Sequence, residues 1–262
     1  MQRPRNIPAE LPEAEVIDVQ ALKQSLADGS AELVCVLGPT ASGKTKYAVA
    51  LARELGGEII SADSRQVYRG MDIGTGKDLA EYGEIPYHVI DVADPGDGYN
   101  VFRFKEDFQK AYDDIRSRGD VPILCGGTGL YINAVTAGYD FRTHKPLSEP
   151  GASSDVPRTY FIGTLVSREV RNTRIDARLD ARLQEGMVDE IKGLLDGGVP
   201  AATLISYGLE YKYVTLYLTG ELDYAAMREK LAIAIHQFAK RQMTWFRGME
   251  RSGTIIHWTE VK

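Results

Sequence analysis

What the chain lacks narrows its options first. Among 262 residues there are two cysteines, Cys35 and Cys125, each inside an apolar run. They are too few and too isolated for a disulfide framework or a zinc site, so both read as small core hydrophobes. His88, His144 and His257 show no metal-ligand spacing and read as structural. No internal repeat or low-complexity tract is present. Met1 to Ser30 carry charges throughout without a continuous apolar stretch, which argues against a signal peptide or a membrane-spanning helix. A cytoplasmic protein with no membrane partner is expected. Positive charge is also short: the net charge of −6 disfavours indiscriminate nucleic-acid binding and leaves only local basic surfaces to do it.

What is present fits an ordinary globular protein, with 44% hydrophobic and 26% charged residues. Leu33 to Leu37 is an apolar run ending in Gly38, and a helical pattern follows from Lys44 to about Leu55. Further strands are predicted at Glu58 to Ser61, Tyr87 to Asp91, Val121 to Cys125 and Tyr160 to Val166. Asn100 is placed to cap a helix whose Phe104, Phe108, Ala111 and Ile115 share one face. Strands alternating with helices imply a mostly parallel sheet covered on both sides, with ligands at the carboxyl ends of the strands. Helical patterns then run over Arg168–Leu183, Met187–Leu195, Tyr207–Leu218 and Tyr224 to about Phe246. Residues 1–30 read as an extension ahead of one α/β domain spanning 31–262, in which 142–158 is a linker and 168–250 a helical C-terminal part.

Gly38-Pro39-Thr40-Ala41-Ser42-Gly43-Lys44-Thr45 matches the phosphate-binding pattern of Gly, four residues, then Gly-Lys-Thr, between a strand and a helix. Such a loop offers backbone N–H groups at a helix N-terminus, a lysine for phosphate oxygens and a threonine hydroxyl for Mg2+. Asp63 follows the second strand and so lies on the same edge. Two readings of it stay open: a carboxylate that takes a proton or holds magnesium through water, and a turn cap bonded to its own backbone. Arg168, Arg171, Arg174, Arg178 and Arg182 recur on one helical face, where they either meet phosphates or pair with neighbours such as Asp176 and Asp180. Lys240, Arg241, Arg247 and Arg251 form a second basic cluster, with Trp245 and Phe246 as apolar anchors.

The glycine loop, the Asp63-Ser64-Arg65-Gln66 segment and Met71-Asp72-Ile73-Gly74-Thr75 together resemble the tRNA dimethylallyltransferase (isopentenyltransferase) family. Gly126-Gly127-Thr128-Gly129-Leu130-Tyr131 is similar to that family's second glycine turn. Ala239-Lys240-Arg241-Gln242 with Thr244-Trp245-Phe246-Arg247 is similar to its C-terminal helix. The resemblance runs from about Leu33 to Trp258 with one gap. It implies a P-loop NTPase-like fold and transfer of a dimethylallyl group from dimethylallyl diphosphate to the exocyclic amine of an adenine beside the anticodon in tRNA. In that scheme the loop from Gly38 to Thr45 holds the diphosphate, Thr45 serves Mg2+, Lys44 stabilises the leaving group and Asp63 takes the amine proton. The resemblance further places Thr128 along the channel between the substrates, although as a helix N-cap it has a structural reading too. Ser64, Arg65, Gln66, Lys240 and Arg241 are implied on the acceptor side.

Three departures stand out. Family members carry a helical subdomain, which grips the anticodon stem-loop, where this chain has a linker of about Arg142 to Pro157. His236 replaces an arginine and cannot supply the same permanent forked charge. Glu210 replaces the glycine of a Gly-Tyr-Lys group. The sequence also admits prenylation of a free adenine nucleotide, a P-loop kinase or NTPase using ATP, and a non-catalytic RNA-binding relative. The kinase reading rests on Tyr87–Asp91 as an apolar strand ending in an acid.

Overall fold

The computed structural model describes residues 11–140, 145–146 and 156–261. In chain order the elements are α1 (Val19–Ala27), β1 (Leu33–Leu37), α2 (Lys44–Leu55), β2 (Gly57–Ser61), β3 (Tyr87–His88), α3 (Val101–Ser117), β4 (Val121–Gly126), α4 (Gly129–Asn133), β5 (Tyr139–Asp140), β6 (Lys145–Pro146), β7 (Thr159–Leu165), α5 (Arg168–Gln184), α6 (Met187–Asp196), α7 (Ala201–Ser206), α8 (Leu209–Leu218), α9 (Tyr224–Arg251) and β8 (Ile256–Glu260). A 3-10 turn at Leu79–Tyr82 precedes β3. β5 and β6 form a separate antiparallel pair. Most of the linker expected at Arg142–Pro157, His144 included, lies outside the described residues, as do residues 1–10 of the expected extension.

Six strands form one sheet in the order β3-β2-β4-β1-β7-β8, and every pair in it is parallel. Parallel strands joined by helical crossovers have both faces covered, and alternate side chains of each strand enter different cores. Leu33, Cys35, Leu37, Ile60 and Leu124 face α3, α4 and the C-terminal helices. Val34, Val36, Ile59, Ile123 and Cys125 face α2 and Leu22 of α1. The two buried cysteines therefore belong to opposite cores, which is the packing role expected of them. Asn100 caps α3 through bonds from Phe102 and Arg103 N–H, and Phe104, Phe108, Ala111 and Ile115 form its buried face.

The strand predicted at Tyr87–Asp91 is corrected to two residues. The backbone turns out of the sheet at Val89 (φ 62°) and Asp91 (φ 55°), where Asp91 N–H donates to Gln66 O at 3.2 Å. The Asp91 carboxylate is taken by the buried ammonium of Lys77, not aimed at a ligand as in the kinase reading. The helix predicted from Tyr207 begins only at Leu209, after Gly208 (φ 76°), and α7 precedes it. β8 was not expected: it lies beside β7, with Phe161 opposite Ile256. Part of the N-terminal extension shields that outer strand, since Glu15 N–H bonds Trp258 O at 2.7 Å and Glu15 Oε1 meets His257 Nδ1 at 2.8 Å. Among the described residues no helix is long and apolar enough to cross a membrane.

Candidate active site

The carboxyl ends of β1, β2 and β4 lie side by side, so the loops that follow them border one cleft of 280 Å³. After β1 the chain reverses through Ala41 (φ 62°) and Gly43 (φ 82°) into α2, so the N-terminus of α2, whose first N–H groups have no partner within the helix, borders the cleft. Thr40, Ala41, Gly43, Lys44 and Thr45 line it. Gly38, Pro39 and Ser42 stand behind them. The Ser42 hydroxyl bonds the Thr164 hydroxyl at 2.6 Å in the core, and a Cβ on Gly38 would lie 2.2 Å from Thr164 Oγ1. Ser42 thus shapes the loop from outside the cleft.

Asp63, just past β2, lines the opposite wall. Its Oδ1 also accepts Arg65 N–H at 3.0 Å, so the turn cap and the cleft-facing carboxylate are two properties of one side chain. Gln66 lines the cleft and is fixed at both ends, accepting from Ser61 Oγ at 3.0 Å and donating to Gly76 O at 3.2 Å. Thr128 and Ser64 are not on the lining. The Thr128 hydroxyl forms no cap bond to α4 and instead accepts Ser64 N–H at 3.1 Å, tying the Asp63 loop to the Gly-Gly-Thr turn.

Helices α5, α8 and α9 close the cleft. Of the arginine stripe, Arg174, Arg178 and Arg182 line it. The neighbouring acids turn away: Asp180 holds Arg228 through two bonds of 2.7 Å, and Asp176 holds His236 at 2.8 Å. His236 is occupied there, outside the cleft, and does not stand in for the arginine it replaces. Arg178 donates to the Thr40 hydroxyl and has no carboxylate partner among the described residues. Arg182 has only Asp78, at 3.7 Å, and lies so close to Gly76 (φ 64°) that a Cβ there would meet its guanidinium.

On α9, Ala239, Gln242 and Phe246 face inward, which leaves Lys240 and Arg241 exposed and off the lining. Gln242 is the inward residue of that motif. It accepts Thr40 N–H at 2.8 Å and donates to Gly127 O at 3.0 Å, bridging the two glycine turns. The sequence reading gave it no role, although its place in the period of buried residues marks it. Glu210, which looked hostile to phosphate, is neutralised: Arg65 Nη1 lies 2.8 Å from its Oε2, and the Arg65 guanidinium sits over the Phe238 ring. The loop between Met71 and Lys77 is pinned from below. Glu190 of α6 accepts the N–H groups of Asp72, Ile73 and Gly74 and the Tyr211 hydroxyl. Lys77 binds Tyr68 O, Asp72 and Asp91.

Electrostatics divide these groups. Desolvation pulls the Lys44 ammonium below its usual value, against the opposing pull of Cys125 and Asp63. Desolvation, and then Arg182, bring Arg178 down to about 10. Burial is the largest influence on Arg65 and acts to lower it, but Glu210, Asp63 and Tyr211 together outweigh burial and the net shift is upward. Burial pushes the Cys125 thiol up to about 12, and burial with Asp78 raises Glu81. Cations that are destabilised as charged species line a cleft that would receive an anion. Thr45 lines it, with its hydroxyl in no hydrogen bond among the described residues, which also hold no cluster of three metal-ligating side chains.

The family model described as IPP transferase matches residues 66–156 and 140–249, and the one described as isopentenyl transferase matches 31–84. tRNA dimethylallyltransferase 1 of Porphyromonas gingivalis is 49% identical over 283 residues, covering 87% of this chain and 94% of the relative. As 87% of 262 residues is about 228, some 55 positions of that alignment have no counterpart here. tRNA dimethylallyltransferase 1 of Parabacteroides distasonis is 47% identical, covering 88% and 93%. Among solved structures, the tRNA delta(2)-isopentenylpyrophosphate transferase of Staphylococcus epidermidis superposes with a TM-score of 0.76 at 30% identity, over 87% of this chain and 92% of that one. The tRNA isopentenylpyrophosphate transferase of Bacillus halodurans gives 0.75 at 31%, over 88% and 90%.

Proposed function

The chain belongs to the tRNA dimethylallyltransferase (IPP transferase) family, and from that premise we propose that it transfers the dimethylallyl group of dimethylallyl diphosphate to the exocyclic amine of an adenine in tRNA. The observation that carries this reading is the pairing, across one cleft, of the uncompensated cations Lys44 and Arg178 with the carboxylate of Asp63. Transfer breaks the bond between the allylic carbon and the diphosphate oxygen and forms a bond from that carbon to the adenine nitrogen. The electron pair leaves with the diphosphate and one amine proton must go to a base. Lys44, Arg178 and the N–H groups of the cradle stabilise the growing charge on the diphosphate with donors already in place. Asp63, held by Arg65 N–H through one oxygen, takes the proton on its carboxylate.

A magnesium ion fits the cleft as one side-chain ligand plus diphosphate oxygens and waters, with Thr45 as the protein ligand. It would supply additional neutralisation of the leaving diphosphate. Gln66 and Arg65 border the acceptor end, while the exposed Lys240 and Arg241 are available to RNA phosphates outside the cleft. Base extraction precedes the chemistry, because the amine must leave its stack to reach the cleft. The reaction belongs in the cytoplasm, where unmodified tRNA is available.

A second acceptor is favoured by one observation. The IPP transferase match comes in two pieces that meet at 140–156, and the alignment to the P. gingivalis relative carries about 55 positions absent here. A missing subdomain at that point removes RNA-binding surface and suits a free adenine nucleotide. Labelled dimethylallyl diphosphate with magnesium, offered unmodified tRNA or AMP, ADP and ATP separately, decides the matter. Label in tRNA supports the main reading, label only in a nucleotide supports the second, and nucleotide hydrolysis without prenyl product refutes both.

A further inference from the structure

Tyr82 ends the 3-10 turn that packs on α2, the helix whose N-terminus forms the phosphate cradle. Its ring is 4% exposed and packs 4.8 Å from that of Tyr87, inside the core on the α2 side of the sheet. Its position nevertheless borders the cleft beside Lys44, Thr45 and Cys125. The hydroxyl makes no hydrogen bond among the described residues and is not one of their fully sealed, unpaired polar atoms, while the residue itself lines the cleft. A hydroxyl with no protein partner and so little access to water gains from an acceptor bound beside it.

We infer that the Tyr82 hydroxyl is a further ligand of the donor, giving a hydrogen bond to an oxygen of the bound diphosphate; this rests on the donor-site reading above. Tyr82, Lys44, Cys125 and Asp63 line the same cleft. Burial, followed by the charges of Cys125, Asp63 and Glu81, keeps the phenol protonated far above its ordinary range. It is therefore a fixed O–H donor. A neutral donor suits this place because the surrounding cations already disfavour one another: Arg182 lowers Arg178, and Arg178 and Arg65 lower Lys44. A further lysine or arginine would add to that repulsion, whereas a phenol adds a donor without charge.

The test is calorimetric titration of inorganic diphosphate, with magnesium, into the whole protein and its Tyr82→Phe variant, alongside ligand-free thermal melts and the acceptor KM. Phenylalanine keeps the ring and its packing. The expected result is a diphosphate Kd weakened about tenfold, the scale of one hydrogen bond to a charged oxygen, with melting temperature and acceptor KM unchanged. A Tyr82→Phe protein that binds diphosphate as the wild type does overturns the role of Tyr82 and leaves the donor site standing. A wild type that binds no diphosphate overturns the donor-site reading and this inference with it.

Discussion

The floor of the cleft and its far wall are both rich in cations, but they treat them in opposite ways. On the wall, Arg65 is closed by Glu210 at 2.8 Å, and behind it the buried Lys77 is enclosed by Asp72, Asp91 and a carbonyl. On the floor, among the described residues, Lys44 has no carboxylate bonded to it and Arg178 has only a threonine hydroxyl. A buried charge with a partner is part of the scaffold, because removing either member leaves the other stranded. A cation without a partner is destabilised until a ligand arrives, so its free energy is released on binding instead of on folding. The difference separates residues that build this site from residues that use it.

The sharpest way to break that division is at Asp63, a cleft carboxylate with no salt bridge among the described residues. Asp63→Asn is expected to lower kcat for prenyl transfer by about 10²–10⁴-fold while diphosphate affinity and unfolding stability stay close to wild type. Single-turnover kinetics with saturating donor reads the loss. A variant that keeps its rate would remove Asp63 as the base.

Arg65→Met tests the wall. It strands the Glu210 carboxylate, whose side chain is 8% exposed, and should destabilise the fold by about 3–5 kcal/mol in denaturant unfolding. The double variant Arg65→Met, Glu210→Met should recover most of that loss, since neither charge then remains buried. On the floor the prediction reverses. Arg178→Met should weaken diphosphate binding by about 10–100-fold, as loss of a charge-assisted bond does, with unfolding stability unchanged or higher. If Arg178→Met destabilised the protein as much as Arg65→Met, the contrast between floor and wall would be wrong.

The floor was also the more legible region in the sequence. The cradle is a local object: eight consecutive residues set its turn, and β1 before it and α2 behind it follow from apolar periodicity over neighbouring positions. Asp63 was placed by the same local logic. The wall, and the tie from the floor to α9, are built from distant partners, with Arg65 and Glu210 separated by 145 positions and Thr40 and Gln242 by 202. No local pattern links them, so Glu210 looked like an unopposed acid and Gln242 like an ordinary member of a motif. Helical phase could have corrected the second, because Gln242 falls in step with Ala239 and Phe246 while Lys240 and Arg241 do not. The shortened β3 was not legible at all. A positive φ at Val89, a β-branched residue, is an improbable local choice that holds only where tertiary bonds such as Lys77 to Asp91 over-determine it.

The smallest expected effect comes from a paired ion outside the cleft, and it tests whether pairing alone gives a charge a role in folding. Glu58 of β2 receives His88 Nε2 at 2.6 Å and Arg118 Nη2 at 2.8 Å. Burial acts to raise its carboxyl pKa, but the bonds from His88 and Arg118 outweigh burial and hold it below the ordinary value. A carboxylate depressed in the folded state binds fewer protons than its unfolded counterpart, so its stabilisation is present above the unfolded pKa of about 4.3. It is lost as pH falls through the folded value. The stability difference between wild type and Glu58→Gln, measured by urea unfolding, should therefore shrink below about pH 4.5. The same series on Arg178→Met should show no such acid-dependent difference, because its guanidinium stays charged throughout that range and has no carboxylate to lose. A Glu58→Gln difference that stayed flat into acid would mean that these bonds hold Glu58 without stabilising its charged form.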